Sequence, residues 1–264
     1  MLRMESTTIL FFLAALPVIL ILIYIYNKDK TKEPFGLLIK FFGLGILSCF
    51  LVILVSFGLE KFLSFMNHTN QSSFADTILY CFIGVALVEE VCKWIMVYLS
   101  GYNNKEFDEV YDIVVYSVFV SLGFAFFENI VYVFGNMDFL TAILRAVSAV
   151  PGHACDAIFM GYYLSVAKIC STRNSKELER KNIFLSIAIP ALLHGIYDFC
   201  LMSGYDIFVF VFLIFVVILY KLSISKLNEI ALANKKIKDD TTFCSNCGAR
   251  VEGQFCERCG KPRD

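Results

Sequence analysis

Seven long apolar runs leave this chain little choice but to fold within a bilayer. They are Thr7–Tyr26, Leu37–Leu59, Thr77–Ser100, Tyr111–Gly135, Phe139–Cys170, Ile183–Met202 and Ile207–Ser225. Most match the roughly 20 residues that a helix needs to cross about 30 Å of hydrocarbon. The apolar residues, 58% of the chain with 27 Phe among them, fall in runs rather than at helical or strand periods. Charged residues make up only 18%, against roughly 25% in soluble domains. The first run is longer than the core of a signal peptide and no small-residue cleavage site follows it, so it reads as a retained span. The fifth run is too long for one straight crossing and contains Pro151-Gly152, where the helix should break or kink; Phe139 to Val150 then reads as an interfacial or re-entrant piece.

Loop charge sets the expected topology. Lys28, Lys30 and Lys32 follow span one, Lys105 span three, Arg173, Lys176, Arg180 and Lys181 span five, and Lys226, Lys235, Lys236 and Lys238 span seven. The alternate loops are nearly free of Lys and Arg, Lys61 being the main exception. The positive-inside rule places the N-terminus outside a cell membrane and the C-terminal tail in the cytoplasm. Counting Phe139–Cys170 as one crossing keeps every basic loop on one side, which favours seven spans over eight. No basic stretch is dense enough to argue for nucleic acid.

Composition changes after Asp240. Cys244 and Cys247, then Cys256 and Cys259, form two C-x-x-C pairs eight residues apart. Each pair aims two thiolates at one point, and four thiolates satisfy tetrahedral zinc, with Gly248 and Gly260 permitting the turns. So short a segment needs the metal to fold. A cytoplasmic location keeps the thiols reduced, and a full set of four leaves no open position, so this zinc is structural. The expected organisation is an all-α polytopic bundle of about seven spans over 1–225, a basic tether over 226–240 and a zinc ribbon over 241–264. The remaining cysteines, Cys49, Cys81, Cys92, Cys155, Cys170 and Cys200, read as small buried apolar residues.

Charges inside spans cost several kcal/mol each and mark functional sites. Span three carries Glu89, Glu90 and Lys93; span four Glu128 and Asn129; the fifth run His153 and Asp156; span six His194 and Asp198. Glu89 and Lys93 are i,i+4 and Glu90 and Lys93 are i,i+3, so one glutamate can be paired while the other points elsewhere. His194 and Asp198 share a face, and a carboxylate beside an imidazole fixes its tautomer. Of three histidines, only His68 lies in a polar loop. The cluster suits the activation of water, with a glutamate as general base or with Glu128, His153 and His194 holding a catalytic metal, zinc by preference. A buried ion pair, interhelical hydrogen-bond glue, or a proton relay in a transporter would use some of the same residues.

The ordered set Glu89-Glu90-x-x-Lys93, Phe124-x-x-x-Glu128-Asn129, a histidine segment, then His194-x-x-x-Asp198 resembles the PrsW family of intramembrane proteases, distant relatives of the CAAX prenyl proteases. The likeness runs from about Val85 to Asp198 and includes Phe107-Asp108-Glu109 and Asp112, although Ile113 stands where the family pattern leads us to expect Gly. It implies site-1 cleavage of a membrane-anchored anti-sigma factor in a bacterial envelope-stress response. By the same likeness Glu89, Glu90, Glu128, His153 and His194 are catalytic, and Lys93, Asn129 and Asp198 support them. The competing readings are a proton-coupled transporter, for which no internal repeat is evident, and a non-catalytic sensor signalling through its ribbon.

Overall fold

The computed structural model describes residues 2–63, 73–136 and 138–232, and in the tail 244, 246, 247, 249, 251 and 255–261. His68 lies outside the described residues. The described chain is helical: α1 (Leu2–Lys28), α2 (Phe35–Glu60), α3 (Phe74–Leu79), α4 (Val88–Val97), α5 (Asp112–Asn136), α6 (Phe139–Val147), α7 (Ala149–Thr172), α8 (Lys176–Met202) and α9 (Asp206–Leu232). Six helical stretches are long and apolar enough to cross a bilayer: α1, α2, α5, α6 with α7, α8 and α9. The third expected span is also an unbroken helical rod. It runs from α3 through the π-helical stretch Tyr80–Leu87, α4 and a second π-helical stretch, Tyr98–Tyr102. Ser73 starts this rod with a capping box, accepting from the Asp76 N–H while the Asp76 carboxylate accepts from the Ser73 N–H.

Helix α5 is the axis of the bundle. From Asp112 to Ala125 every residue is buried, and α1, α2, α4 and α7 pack around it. Small residues set the closest approach. A Cβ added at Gly45 of α2 would lie 1.9 Å from the Val120 carbonyl oxygen, and one at Gly123 of α5 would lie 2.1 Å from that of Phe42. In a bilayer, lipid tails compete on equal terms with apolar side chains, so such backbone contact supplies much of the association energy. Gly123→Ala should therefore lower stability by about 1–3 kcal/mol through overpacking, whereas Gly43→Ala, with nothing within 4 Å of its new Cβ, should be neutral. Thermal unfolding of both variants in detergent checks this.

On the rim, α1, α2 and α9 turn Phe12, Leu16, Leu54, Phe57, Phe210 and Ile214 outward, as lipid-facing helices do.

Two expectations change in detail. The fifth run breaks at Ser148, three residues before Pro151. Pro151 sits in the first turn of α7, where its missing N–H would have had no intrahelical partner in any case, so the ring starts a helix instead of interrupting one. The segment before the break, α6, is a short helix that turns Leu140, Ile143, Leu144 and Val147 outward and buries Ala142 beside Leu10, Ala14 and Val133. In addition, α9 continues past Ser225 to Leu232 because nothing in between breaks it. Leu227, Ile230 and Ala231 belong to the main core, so the first half of the expected tether packs on the bundle. Residues 233–243 lie outside the described set.

The loops after α1, after Tyr102 and after α7 meet at one end of the bundle. Thr31 Oγ1 donates to Glu109 at 3.1 Å, Tyr102 Oη to Glu179 at 3.3 Å, and Lys168 Nζ to the Tyr102 carbonyl at 2.7 Å. These three basic loops thus gather on one face. Glu128 lies sixteen residues along α5 from Asp112, about 24 Å at 1.5 Å per residue, toward the other face.

Candidate active site

Four helices bring their ionisable residues to one place. Lys93, on α4, is fully buried at the centre. Its Nζ lies 2.7 Å from Glu90 Oε1, 3.4 Å from Glu89 Oε2 and 3.1 Å from His153 Nδ1, and 4.1 Å from the centre of the Phe124 ring. The i,i+3 and i,i+4 spacings bring both glutamates onto the one ammonium, so neither points away as the sequence allowed.

His194, on α8, bridges the next pair. Its Nδ1 is 3.0 Å from Glu90 Oε1, and its Nε2 is 3.4 Å from Asp198 Oδ2 and 3.9 Å from Glu89 Oε2. His153, on α7, places Nε2 3.0 Å from Glu128 Oε2. The two imidazoles meet edge to face with centroids 5.2 Å apart. Ser121 Oγ donates to the His153 carbonyl at 2.8 Å, fixing α7 against α5. Gly195, beside His194, lets α8 close on the π-helical stretch: a Cβ there would fall 2.4 Å from the Phe82 ring. Turns of that wider type cluster at functional sites.

Two residues enter that the sequence reading did not assign to the site. Arg145 of α6 donates to Glu128 Oε2 at 2.7 Å and to Asn129 Oδ1 at 2.9 Å, and lies over the Tyr132 ring at 4.1 Å. Asn129 in turn donates to the Ala14 carbonyl at 3.0 Å, so it ties α1 and α6 to α5. Arg145 was hidden inside a run counted as a span; the signal was a lone arginine among outward apolar residues. Asp156, noted only as a neighbour of His153, is buried and shares a set of possible ligand atoms with Glu90, His153 and His194, all within 4.8 Å of one another. A second such set joins Glu89, Glu128 and His153. Among the described residues, no set contains Glu128, His153 and His194 together. His153 stands between the other two, turning Nε2 to Glu128 while Nδ1 faces Lys93.

The cluster opens to a cleft lined by Glu128, Arg145, His153, Asp156, His194, Tyr197 and Asp198. Two observations bear on a metal. Glu90 Oε2 and Asp156 Oδ1 are buried oxygens with no hydrogen-bond donor. The cluster also gathers the carboxylates of Glu89, Glu90, Glu128, Asp156 and Asp198 around only two fixed cations, Lys93 and Arg145. Unsatisfied buried carboxylate oxygens are costly unless something positive meets them. Two imidazoles and two carboxylates are also a suitable donor set for zinc. The residues fit such an ion.

In the tail, the thiol sulfurs of Cys244, Cys247, Cys256 and Cys259 lie within 4.8 Å of one another, with Cys244 to Cys259 and Cys247 to Cys256 at 3.5 Å. Cys244 N–H donates to the Ala249 carbonyl and Cys256 N–H to that of Lys261, while Gly260 takes φ +73°, a value that glycine adopts without strain. This geometry is compatible with zinc. Cys244→Ser should release one zinc per chain, measured by elemental analysis of the purified protein, and leave the bundle's helical circular dichroism unchanged.

No solved structure matches the chain. The model of the "PrsW family intramembrane metalloprotease" matches residues 33–222, which covers the charged cluster and stops short of the ribbon. "Protease PrsW" of Clostridioides difficile strain 630 is 36% identical over 232 residues, 86% of this chain and 94% of that protein. The proteins of the same name from Oceanobacillus iheyensis and Bacillus subtilis strain 168 are 35% and 34% identical, spanning 81% and 75% of this chain and 92% and 86% of their own lengths. A multi-pass helical bundle with a carboxylate–histidine cluster in its interior, matched by this model and these relatives over most of their length, belongs to the PrsW family of intramembrane proteases.

Proposed function

We propose that this chain cuts a single-pass anti-sigma factor on the outer side of a bacterial cell membrane, using the cluster around Lys93 to activate water. The observation that carries the reading is the meeting of Glu90, His153, Asp156 and His194, with two orphaned carboxylate oxygens, beside a cleft in the bundle. The anti-sigma factor as substrate is what the resemblance to the PrsW family implies. The basic loops, gathered at one end, support an orientation with the N-terminus outside and the ribbon in the cytoplasm. Glu128 and His153 then lie toward the outer leaflet, where a first cut on the external side of a substrate helix would fall.

In this mechanism His153, His194 and one carboxylate of the Glu90 and Asp156 pair would hold a zinc ion, with a position left open for water. Such an ion, when bound, acidifies a water toward neutrality and polarises the scissile carbonyl. Glu128 lines the cleft with its side chain 21% exposed, and is held by His153 Nε2 and Arg145. It takes the proton of the attacking water and passes it to the leaving amine. Glu89 also lies within reach of His153 and Glu128. Lys93 holds Glu90 and Glu89 in place through its ammonium. Asp198 fixes the ring orientation of His194 from its Nε2 side. Arg145 lines the cleft, where it orients Glu128. The ribbon is a separate unit that binds a cytoplasmic partner or regulates cleavage.

The test is cleavage of a candidate anti-sigma factor in liposomes, with the new terminus located by mass spectrometry. A cut within or just outside the outer half of the substrate helix supports the proposal. A cut on the cytoplasmic side overturns the orientation. No cut in any single-pass substrate, together with proton-coupled uptake of a solute, would favour the transporter.

A further inference from the structure

A second carboxylate cluster stands at the other end of the bundle, well away from the cleft. Asp29 follows α1, Glu109 precedes α5, and Asp112 opens α5. Each offers a carboxylate oxygen within 4.8 Å of the others. Asp29 and Asp112 are only 3% and 1% exposed; no N–H or hydroxyl group donates to Asp29 Oδ2 or Asp112 Oδ1, and the Asp112 carboxyl lies within hydrogen-bonding reach of Glu33. Their other oxygens are used locally. Asp29 Oδ1 accepts from the Thr31 N–H at 3.2 Å, and Asp112 Oδ2 accepts from the Asp108 and Glu109 N–H groups at 3.1 and 2.7 Å. Glu33 is buried alongside, accepting from Tyr116 Oη at 2.8 Å. The nearby cation is Lys32, whose ammonium donates to the main-chain carbonyls of Tyr26 and Asp29.

We infer that Asp29, Glu109 and Asp112 bind a hard divalent cation, Mg²⁺ or Ca²⁺, at the face where the basic loops gather. The donors are all oxygens, which selects hard ions over zinc. Asp29 Oδ2 and Asp112 Oδ1 come from different segments of chain, so an ion between them would clamp the α1–α2 loop to the first turn of the axial helix. The site shares no residue with the hydrolytic cluster.

The experiment titrates the purified full-length protein, in detergent at neutral pH, with Mn²⁺ as a paramagnetic probe, followed by competition with Mg²⁺ and Ca²⁺. Wild type should bind Mn²⁺ at a site from which Mg²⁺ or Ca²⁺ displaces it. Asp29→Asn and Glu109→Gln should each weaken that binding at least tenfold, while His194→Ala retains it. Glu109 is only half-buried, so its variant keeps the test open if Asp29→Asn does not fold. Binding that survives both carboxylate variants, or that is lost only in His194→Ala, would overturn the assignment. So would the absence of binding below about 1 mM, the weak end of biological oxygen sites, which would mean that the carboxylates share protons instead.

Discussion

His194→Ala protein, reconstituted with a single-pass substrate, should cleave on the order of a thousandfold or more slowly than wild type, and Glu90→Gln should lose a similar amount. His194 touches three of the five carboxylates in the cluster, through Nδ1 to Glu90 at 3.0 Å and through Nε2 to Asp198 at 3.4 Å and Glu89 at 3.9 Å. Removing the ring takes away one member of the proposed ligand set and releases Glu90 from one of its two partners, leaving it on Lys93 alone. Asp198→Asn keeps the size of the group that holds His194 and should cost less, about 10–100-fold, as expected for a residue that orients a ligand. Cys244→Ser, which alters only the tail, should cleave like wild type. Unchanged helical circular dichroism separates loss of chemistry from loss of fold. Cleavage within tenfold of wild type in both His194→Ala and Glu90→Gln would remove the hydrolytic role from this cluster.

What the sequence disclosed follows from the energetics of a bilayer. A glutamate or histidine in an apolar run is too costly to be incidental, so Glu89, Glu90, Glu128, His153 and His194 stood out without any coordinates. The four tail cysteines stood out because thiol pairs at that spacing have few other uses. The missing parts depend on three-dimensional relations that no one-dimensional pattern carries. Arg145 lies in a run whose hydropathy reads as a span, and its role comes from the packing that sets it against Glu128 in the lining of the cleft. Proline suggested a break three residues too late, because the same ring that disrupts a helix interior is comfortable in a first turn. Asp156 looked like a partner for His153 one turn away. Its placement with Glu90 and His194 depends on how α7 packs against α4 and α8. The same holds for Asp29, far in sequence from Glu109 and Asp112, which joins them only when the loops around α5 close.

Lys93→Met should be the most destabilising single change in the bundle, costing about 3–5 kcal/mol, the range seen when one member of a buried ion pair is removed. The side chain is fully enclosed, and its ammonium faces Glu89, Glu90 and His153 at once. Methionine fills much the same volume and keeps contact with the Phe124 ring, so the loss is electrostatic and not a cavity. It leaves Glu90 fully buried with one imidazole partner and an oxygen that already has none. Adding Glu90→Gln removes most of that uncompensated charge. The double variant Glu90→Gln/Lys93→Met should therefore recover at least half of the lost stability, read as the thermal midpoint in detergent and the yield of monodisperse protein, while remaining inactive. Recovery of fold without recovery of cleavage would separate the two demands on this site: Lys93 is required because the carboxylates are buried, and the carboxylates are buried because the chemistry takes place inside the membrane. A double variant no more stable than Lys93→Met would instead mean that Lys93 holds the bundle through its packing on Phe124 and His153, with the glutamates secondary.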